Sequence, residues 1–305
     1  MGRFGSVVTA MVTPFDGDGH LDLDGAATLA RHLAGNGSDG LVVAGTTGEG
    51  PVLSDQEKLD LWRAVADAVA IPVVAGTGTN DTAHSIALTK AARSTGVEGV
   101  LVVTPYYNRP SSAGLSAHFR AVAGATDLPV LLYDIPIRTG RRIGTELLID
   151  LGNSVGNIVG VKDSTGDAAS AARVVAETPD RFELYSGDDS MTLPMLAVGG
   201  VGIVSVAAHW AGTLFAEMVS AFQEGDLDRA REANARLFES YQFESSDDFP
   251  NPMPAKAACR ALGLPAGQCR LPNAMAPISL DEEARRVVER VGRASSGASV
   301  RGSIG

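Results

Sequence analysis

The chain repeats one pattern eight times, a short apolar run followed by a longer amphipathic stretch. Short apolar runs are typical of buried parallel strands, whereas apolar positions that recur every three or four residues indicate helices covering a sheet. The predicted strands span residues 7–11, 40–43, 72–75, 99–103, 130–133, 158–162, 182–186 and 202–206. The predicted helices between them span residues 23–34, 54–70, 81–95, 114–125, 145–151, 167–178, 190–198 and 213–224.

Eight consecutive strand–helix units predict an α/β fold, the TIM (β/α)8 barrel, with residues 1–225 as its catalytic domain. An open doubly wound sheet is the alternative, although such a sheet would not normally continue so regularly to eight units. Within the second unit, Ser54 and Glu57 have the spacing of a capping box, which predicts the start of that helix.

The pattern changes after residue 225, where the strands stop. Residues 226–293 are predicted to form a C-terminal three-helix extension, with prolines marking the turns. Its helices are predicted at residues 227–241, 255–262 and 280–291. The Ser/Gly-rich segment 294–305 is predicted to be a disordered tail.

The charge and cysteine content exclude several classes of function. The formal net charge of -11 and a pI near 4.9 argue against nucleic acid or an anionic membrane as a partner. Cys259 and Cys269 lack the spacing of a zinc site or a disulfide framework, so reduced thiols in a cytoplasmic protein are expected. The N-terminus does not resemble a signal peptide, and no apolar run is long enough to span a membrane.

A lysine closes the sixth predicted strand. Ile158-Val159-Gly160-Val161 runs directly into Lys162, and strict alternation would place Lys162 on one face with Ile158 and Gly160, opposite Val159 and Val161. Gly160 is expected to leave room beside the lysine stem. A poorly solvated, unpaired lysine has its charged form disfavoured, so its amine can attack a carbonyl and form a Schiff base. The alternative is a strand-end lysine that extends its ammonium to solvent.

The carboxyl ends of the other strands carry hydroxyl groups and one arginine. In a barrel of this kind these ends meet at one mouth, where the chemistry takes place. Thr46 and Thr47 follow strand two, Tyr107 follows strand four, Tyr133 and Arg138 end strand five, and Gly187 follows strand seven. Taken singly, such residues are more often turn, packing or surface residues. Together they lack a metal site or a Ser-His-Asp arrangement, and they suit imine chemistry that requires no cofactor.

These residues lie in motifs that resemble the dihydrodipicolinate synthase and N-acetylneuraminate lyase family of class I aldolases. The resemblance covers about residues 6–277, and the Arg138-Thr139-Gly140 stretch is similar to the dihydrodipicolinate synthase branch in particular. The motifs that carry it are GTTGE, VTPYYNRP, YDIPIRTG, VKDSTG, SGDD, NPMPAKAA and CRLP.

The resemblance implies a role for each site residue. Lys162 would form an imine with the keto carbon of pyruvate, and Tyr133 would relay protons with Thr47 and with Tyr107 from a neighbouring subunit. The implied reaction condenses pyruvate with L-aspartate 4-semialdehyde to 4-hydroxy-tetrahydrodipicolinate in diaminopimelate and lysine biosynthesis, in a cytoplasmic homotetramer. The implied substrate-binding groups are Thr46, Thr47, Arg138 on the aldehyde's carboxylate, Gly187 and the carbonyl of Val204.

Two departures from the family pattern leave the aldehyde substrate open. Asp134 stands where the family usually has asparagine, and Ile137 beside Arg138 is bulkier than usual. Another pyruvate-dependent aldolase, or a dehydratase of a sugar-derived keto acid, is therefore the alternative. A catalytically silent barrel that senses a keto acid is a third hypothesis. The retention of all four implied catalytic residues argues against it, namely Lys162, Tyr133, Thr47 and Tyr107.

Feedback inhibition by lysine is predicted to be weak or absent. In the implied regulatory site, Lys58 would repel a lysine ligand, and His84 replaces a carboxylate that would bind its amine. The positions that match this site are Asp55, Lys58, Asn80, His84 and Tyr106.

Overall fold

The computed structural model describes residues 2–295 and has a closed parallel barrel at its centre. Each strand pairs with the next along the chain, and the last pairs with the first, which confirms the predicted TIM barrel. Every predicted strand boundary lies within one residue of the observed one. The strands are β1 (Val7–Ala10), β2 (Gly40–Val43), β3 (Val73–Gly76), β4 (Gly99–Val103), β5 (Val130–Asp134), β6 (Ile158–Asp163), β7 (Glu183–Ser186) and β8 (Gly202–Ser205).

Helices surround the barrel, and their ends agree less closely with the prediction. The capping box at Ser54 is confirmed, since Ser54 and Glu57 exchange backbone-to-side-chain hydrogen bonds of 2.8 and 3.2 Å. The barrel helices are α1 (Leu23–Gly35), α2 (Asp55–Ala68), α3 (Thr82–Ala92), α4 (Ser112–Ala123), α5 (Pro136–Thr139), α6 (Thr145–Ser154), α7 (Ala168–Glu177), α8 (Thr192–Ala197) and α9 (Ala208–Gln223). The prediction missed the short α5 and the first turn of α9, which bends at Ala211.

The C-terminal extension packs on the barrel through α9. It consists of α10 (Leu227–Arg236), α11 (Phe238–Phe243), α12 (Met253–Ala261) and α13 (Ile278–Ser295). The first of the three predicted helices is divided at the buried Leu237, whose N–H bonds to Asn234 instead of continuing the α-helical pattern. This break separates α10 from α11. Within residues 2–295, no helix has the length and apolarity that a membrane span requires. The predicted tail, residues 294–305, falls almost entirely outside the described residues.

Two apolar layers enclose the strands. Every second strand residue points outwards into the large layer between barrel and helices, and the others fill the barrel interior. The interior layer reaches Tyr133 near the carboxyl end of β5. Its buried members are Phe4, Val8, Ala10, Val42, Val74, Leu101, Leu131, Tyr133, Ile135, Val159, Tyr185 and Val204.

The side-chain directions predicted for the start of β6 were wrong. Ile158 lies in the outer layer and Val159 in the barrel interior, because the ladder pairs Val130 with Ile158 but Leu131 with Gly160, which leaves Val159 as an extra residue. Val161 points outwards as predicted. Gly160 does not make room for the lysine either. A Cβ there would lie 2.1 Å from the carbonyl oxygen of Glu183, so this glycine lets β7 approach β6 closely.

Candidate active site

Lys162 and Tyr133 face each other at the carboxyl ends of neighbouring strands. They are register partners on β6 and β5, and the Nζ of Lys162 lies 4.4 Å from the centre of the Tyr133 ring. Each residue is only 4% exposed. Among residues 2–295, no carboxylate lies within 4.0 Å of Lys162 Nζ. An amine in this position is poorly hydrated, unpaired and next to a phenol, which is the environment that a Schiff-base lysine needs.

The space beside Lys162 is provided by Gly187, in the turn after β7. A Cβ at Gly187 would lie 2.9 Å from both Cγ and Cε of Lys162 and 2.1 Å from Oγ of Ser164. Any larger residue would therefore collide with the lysine stem. The Ser164 hydroxyl is buried and has no hydrogen-bond partner among the described residues, so it is free to bond a ligand.

A cavity of about 150 Å³ opens around these residues. A second cavity, of about 190 Å³, adjoins it, and Thr46, Tyr133 and Arg138 line both. Six of the predicted site residues therefore meet at one place. Those lining the first cavity are Thr46, Thr47, Tyr133, Arg138, Lys162 and Gly187.

The two other predicted residues lie outside this lining. Val204 is fully buried in the barrel interior, in the same apolar layer as Tyr133. Tyr107, after β4, is 90% exposed and has a φ of 72°, a left-handed conformation that is uncommon for a bulky residue. Within one chain Tyr107 therefore does not reach the cavity, and its predicted contribution to a neighbouring subunit stays a prediction.

The loop of Thr46 and Thr47 is held by a buried ion pair. Glu49, 3% exposed, places its Oε1 2.6 Å from the Nζ of Lys256 on α12, while its Oε2 accepts from the Arg270 N–H at 2.9 Å. The loop is tight, with a φ of 55° at Glu49. The extension thus fixes the loop that brings both threonines to the cavity, which explains why the two C-terminal motifs accompany the barrel motifs.

Asn251 is a site residue that the sequence analysis missed. Its Nδ2 donates to Oγ1 of Thr47 at 2.9 Å, and its carbonyl oxygen accepts from Nη2 of Arg138 at 3.4 Å. Its Oδ1 is buried without a donor among the described residues. The asparagine was visible in the motif NPMPAKAA, but Thr47 is 204 residues away in sequence. Only the fold brings the two residues together.

Arg138 lies on the one-turn helix α5 and is exposed at the edge of both cavities. Pro136 starts this helix and Gly140, with a φ of 71°, ends it, so the guanidinium is held at the end of β5. No carboxylate of residues 2–295 lies within 4.0 Å of Arg138. The cation is therefore available to an anionic ligand. The neighbouring Ile137 is 90% exposed.

The unusual Asp134 faces away from the cavity. It is 1% exposed, its Oδ2 accepts from the Ile143 N–H at 3.1 Å, and its Oδ1 has no donor among the described residues. Burial raises the pKa of Asp134 to about 6; the Ile143 N–H opposes this shift and the nearby Asp163 carboxylate adds to it. Asp134 is thus a titrating group directly behind Tyr133.

Within residues 2–295, one group of potential metal ligands is compact enough to hold an ion. It consists of Asp16, Asp18 and His20, which are exposed and lie outside the residues that line the cavity. Lys162 and its predicted partners offer amine, hydroxyl and guanidinium groups, which suit a covalent organic intermediate, and the same cavity is also lined by carboxyl groups.

The chain is similar to known enzymes along nearly its whole length. Residues 3–291 match the Dihydrodipicolinate synthetase family. A 4-hydroxy-tetrahydrodipicolinate synthase from Moorella thermoacetica is 51% identical over 274 residues, which cover 88% of this chain and 92% of the relative.

Solved structures show the same family likeness. The dihydrodipicolinate synthase of Cyanidioschyzon merolae, crystallised with lysine bound, matches this chain with a TM-score of 0.92 at 42% identity. The match covers 96% of this chain and 99% of the other one. The corresponding protein of Bacillus anthracis has a TM-score of 0.90 at 41% identity, with coverages of 95% and 99%. This chain therefore belongs to the dihydrodipicolinate synthetase family.

Proposed function

We propose that this protein condenses pyruvate with L-aspartate 4-semialdehyde to give 4-hydroxy-tetrahydrodipicolinate, a step of diaminopimelate and lysine biosynthesis. The observation that carries the proposal is the buried amine of Lys162, 4.4 Å from the Tyr133 ring in a cavity that Arg138 also lines. The name of the relative from Moorella thermoacetica supports the same reaction.

The first step is formation of the imine. The neutral amine of Lys162 attacks the keto carbon of pyruvate, and the resulting carbinolamine loses water to give a carbon–nitrogen double bond. Each proton transfer needs a hydroxyl close to the nitrogen, and Tyr133, whose ring centre lies 4.4 Å from Nζ, would supply it. Thr47 would continue the relay, with its hydroxyl oriented by Asn251.

The second step forms the new carbon–carbon bond. The imine accepts the electron pair left when the pyruvate methyl group loses a proton, and the enamine then attacks the aldehyde carbon. Arg138 would bind the carboxylate of the aldehyde substrate through two parallel hydrogen bonds. Thr46, the backbone around Gly187 and the carbonyl of Val204 would hold pyruvate. The substrate's amino group, after its ammonium has lost a proton, would attack the imine carbon and close the ring, and the bond from that carbon to Lys162 would then break and release the lysine as its amine.

A homotetramer would complete the site. The 90% exposure and strained φ of Tyr107 fit a residue whose side chain is covered by another subunit, where it would join the relay of Tyr133 and Thr47. A mixture of Tyr107→Phe and Lys162→Ala chains tests this sharing. Hybrid assemblies should regain activity, because an intact Lys162 then receives an intact Tyr107. Sedimentation would give the number of subunits.

We also propose that the protein works in the cytoplasm and that it needs no cofactor. Cys259 and Cys269 are free thiols, which fits a reducing cytoplasm. The lysine imine supplies the electron sink that an organic cofactor would otherwise provide.

Borohydride reduction in the presence of pyruvate is the direct test. Peptide mapping should place the reduced adduct on Lys162, and Lys162→Arg should lose it. Lys58→Arg is the matched control, because Lys58 is also buried and lines the adjoining cavity. Turnover of aspartate semialdehyde should far exceed that of N-acetylneuraminate and keto-deoxy sugar acids. A chain that forms the adduct but prefers a sugar acid would instead be another aldolase or a dehydratase.

A further inference from the structure

The cavity around Lys162 also contains carboxyl groups that have no part in the proposed reaction so far. Asp188 and Asp189 follow β7, Glu244 follows α11, and all three line the cavity together with Lys162 and Arg138. Glu244 is the residue that caps the carboxyl end of α11. The cavity thus combines a guanidinium with acidic groups from two distant parts of the chain.

Asp189 is fixed in place by the backbone. It is 2% exposed, and its Oδ2 accepts hydrogen bonds from the N–H groups of Val206 at 3.0 Å and Ala207 at 2.7 Å. These two bonds hold the carboxylate in one orientation. Its other oxygen, Oδ1, is buried and has no donor among the groups that the structure fixes within residues 2–295.

Glu244 is the acid that shares this cavity with Asp189. Its Oε2 is buried and likewise without a fixed donor within residues 2–295. Two carboxyl groups can hydrogen-bond to each other only when one of them carries a proton. Burial, followed by the charges of Asp189 and Asp188, raises the pKa of Glu244 well above its usual range, and the charge of Lys162 opposes this only in part. A proton on Glu244 would supply the donor that Oδ1 of Asp189 lacks.

The charges around this proton match an α-amino acid. The second substrate of the proposed reaction carries an α-carboxylate, for which Arg138 is available, and an α-ammonium, which needs an anion in the same cavity. The charges that act on Glu244 are those of Asp188, Asp189 and Lys162, and Glu244 in turn acts on Tyr241 of the preceding α11. An ammonium that entered beside Glu244 would stabilise its ionised form and displace the shared proton.

We propose that Glu244 is the specificity-determining residue for the amino group of the second substrate, because it holds a proton against Asp189 before that substrate binds and exchanges the proton for the substrate ammonium. The proposal rests on the condensation of pyruvate with aspartate semialdehyde. The exchange releases one proton to solvent and leaves the Glu244 carboxylate paired with the ammonium. An aldehyde without the amino group has no ammonium to pair with Glu244, so Glu244 does not strengthen its binding.

The wild-type enzyme allows a test without any variant. As long as Glu244 is protonated in the free enzyme, the KM for aspartate semialdehyde should fall as pH rises, by up to about tenfold per pH unit, because binding releases one proton. The competitive inhibition constant of succinate semialdehyde, which has the same carboxylate and aldehyde but no amine, should lack this dependence. Titration of another enzyme group, such as Asp134, would affect the binding of both aldehydes equally and therefore cancels in the comparison. Parallel pH profiles for the two compounds would overturn the proposal.

Variants make the test specific. Glu244→Gln keeps a donor towards Asp189 but cannot ionise, so it should raise the KM for aspartate semialdehyde by about tenfold, the scale of one charge-assisted hydrogen bond. The inhibition constant of succinate semialdehyde and the yield of the reduced pyruvate adduct should not change. Asp247→Asn, three residues away and exposed, is the matched control and should leave all three quantities unchanged.

The outcomes separate this inference from the proposed function. If Glu244→Gln weakens the binding of both aldehydes equally, or of neither, the role of Glu244 is rejected, while the proposed condensation stays intact. Failure of the wild-type chain to form a pyruvate adduct, or to turn over aspartate semialdehyde, would instead reject the proposed function itself.

Discussion

Lys256 and Glu49 form a fully buried ion pair, with 2.6 Å between Nζ and Oε1 and side chains that are 1% and 2% exposed. The pair joins α12 of the extension to the loop that carries Thr46 and Thr47. Its energetic value depends on both partners being present, because a lone charge in this place cannot be solvated.

Lys256→Met should therefore destabilise the protein strongly. We expect a loss of about 3 to 5 kcal/mol in the free energy of unfolding, because Glu49 remains buried without its cation. Urea denaturation at fixed protein concentration measures it. Arg290→Met is the control, since it breaks the exposed pair with Glu239 and should cost less than about 1 kcal/mol. Equal effects of the two variants would show that the buried pair has no special role.

Asn251→Ala should slow catalysis without unfolding the protein. The variant removes the 2.9 Å hydrogen bond to Thr47, so the hydroxyl proposed as a proton relay would lose its orientation. We expect kcat to fall by about tenfold or more, towards the range typical of acid–base catalysis, with a smaller change in the KM for pyruvate. Steady-state kinetics check this. Asn153→Ala removes an amide that bonds only backbone carbonyls on the outer helices and should leave kcat unchanged.

Asp134→Asn should change how stability depends on pH. The folded-state pKa of Asp134 is raised from 3.8 to about 6, so its stabilising contribution is present below pH 4 and is lost as pH rises through 6. The amide cannot ionise. Above pH 7 the variant should therefore be more stable than the wild type by about 2 to 3 kcal/mol, with no gain near pH 4.

Unfolding curves at pH 4 and pH 8 measure this difference. Asp67→Asn, which changes an exposed carboxylate on α2, should show no such pH dependence. A gain of the same size at both pH values would mean that packing, and not ionisation, distinguishes the two side chains at position 134.

Lysine should inhibit this enzyme weakly. At the matching positions, Asp55 already contacts two side chains, His84 with Nε2 2.9 Å from its Oδ1 and Lys58 with Nζ at 3.9 Å. A lysine ligand would have to compete with both. Initial rates over a wide range of lysine concentration should show little change, and inhibition at low lysine concentration would contradict the prediction. The double variant Lys58→His, His84→Glu should gain sensitivity, because a carboxylate then faces the ligand amine.

The sequence by itself determined the barrel and most of its mouth. Eight apolar runs can be buried together only if the sheet closes, and closure brings every strand's carboxyl end to one place. The positions of Lys162, Tyr133, Thr47 and Arg138 follow from that rule, together with the motifs that contain them. Local features such as the capping box at Ser54 follow from hydrogen bonds between near neighbours and could be predicted equally well.

Only the tertiary structure decided which distant side chains meet there. The extra residue in β6 reversed the directions of Ile158 and Val159, since strand register depends on the partner strand as well as on the strand's own sequence. The hydrogen bond from Asn251 to Thr47 joins segments that no periodicity relates, and so does the cavity that Glu244 and Asp189 both line. Such contacts depend on where a helix breaks and how the extension packs, and these are set by burial of the whole chain.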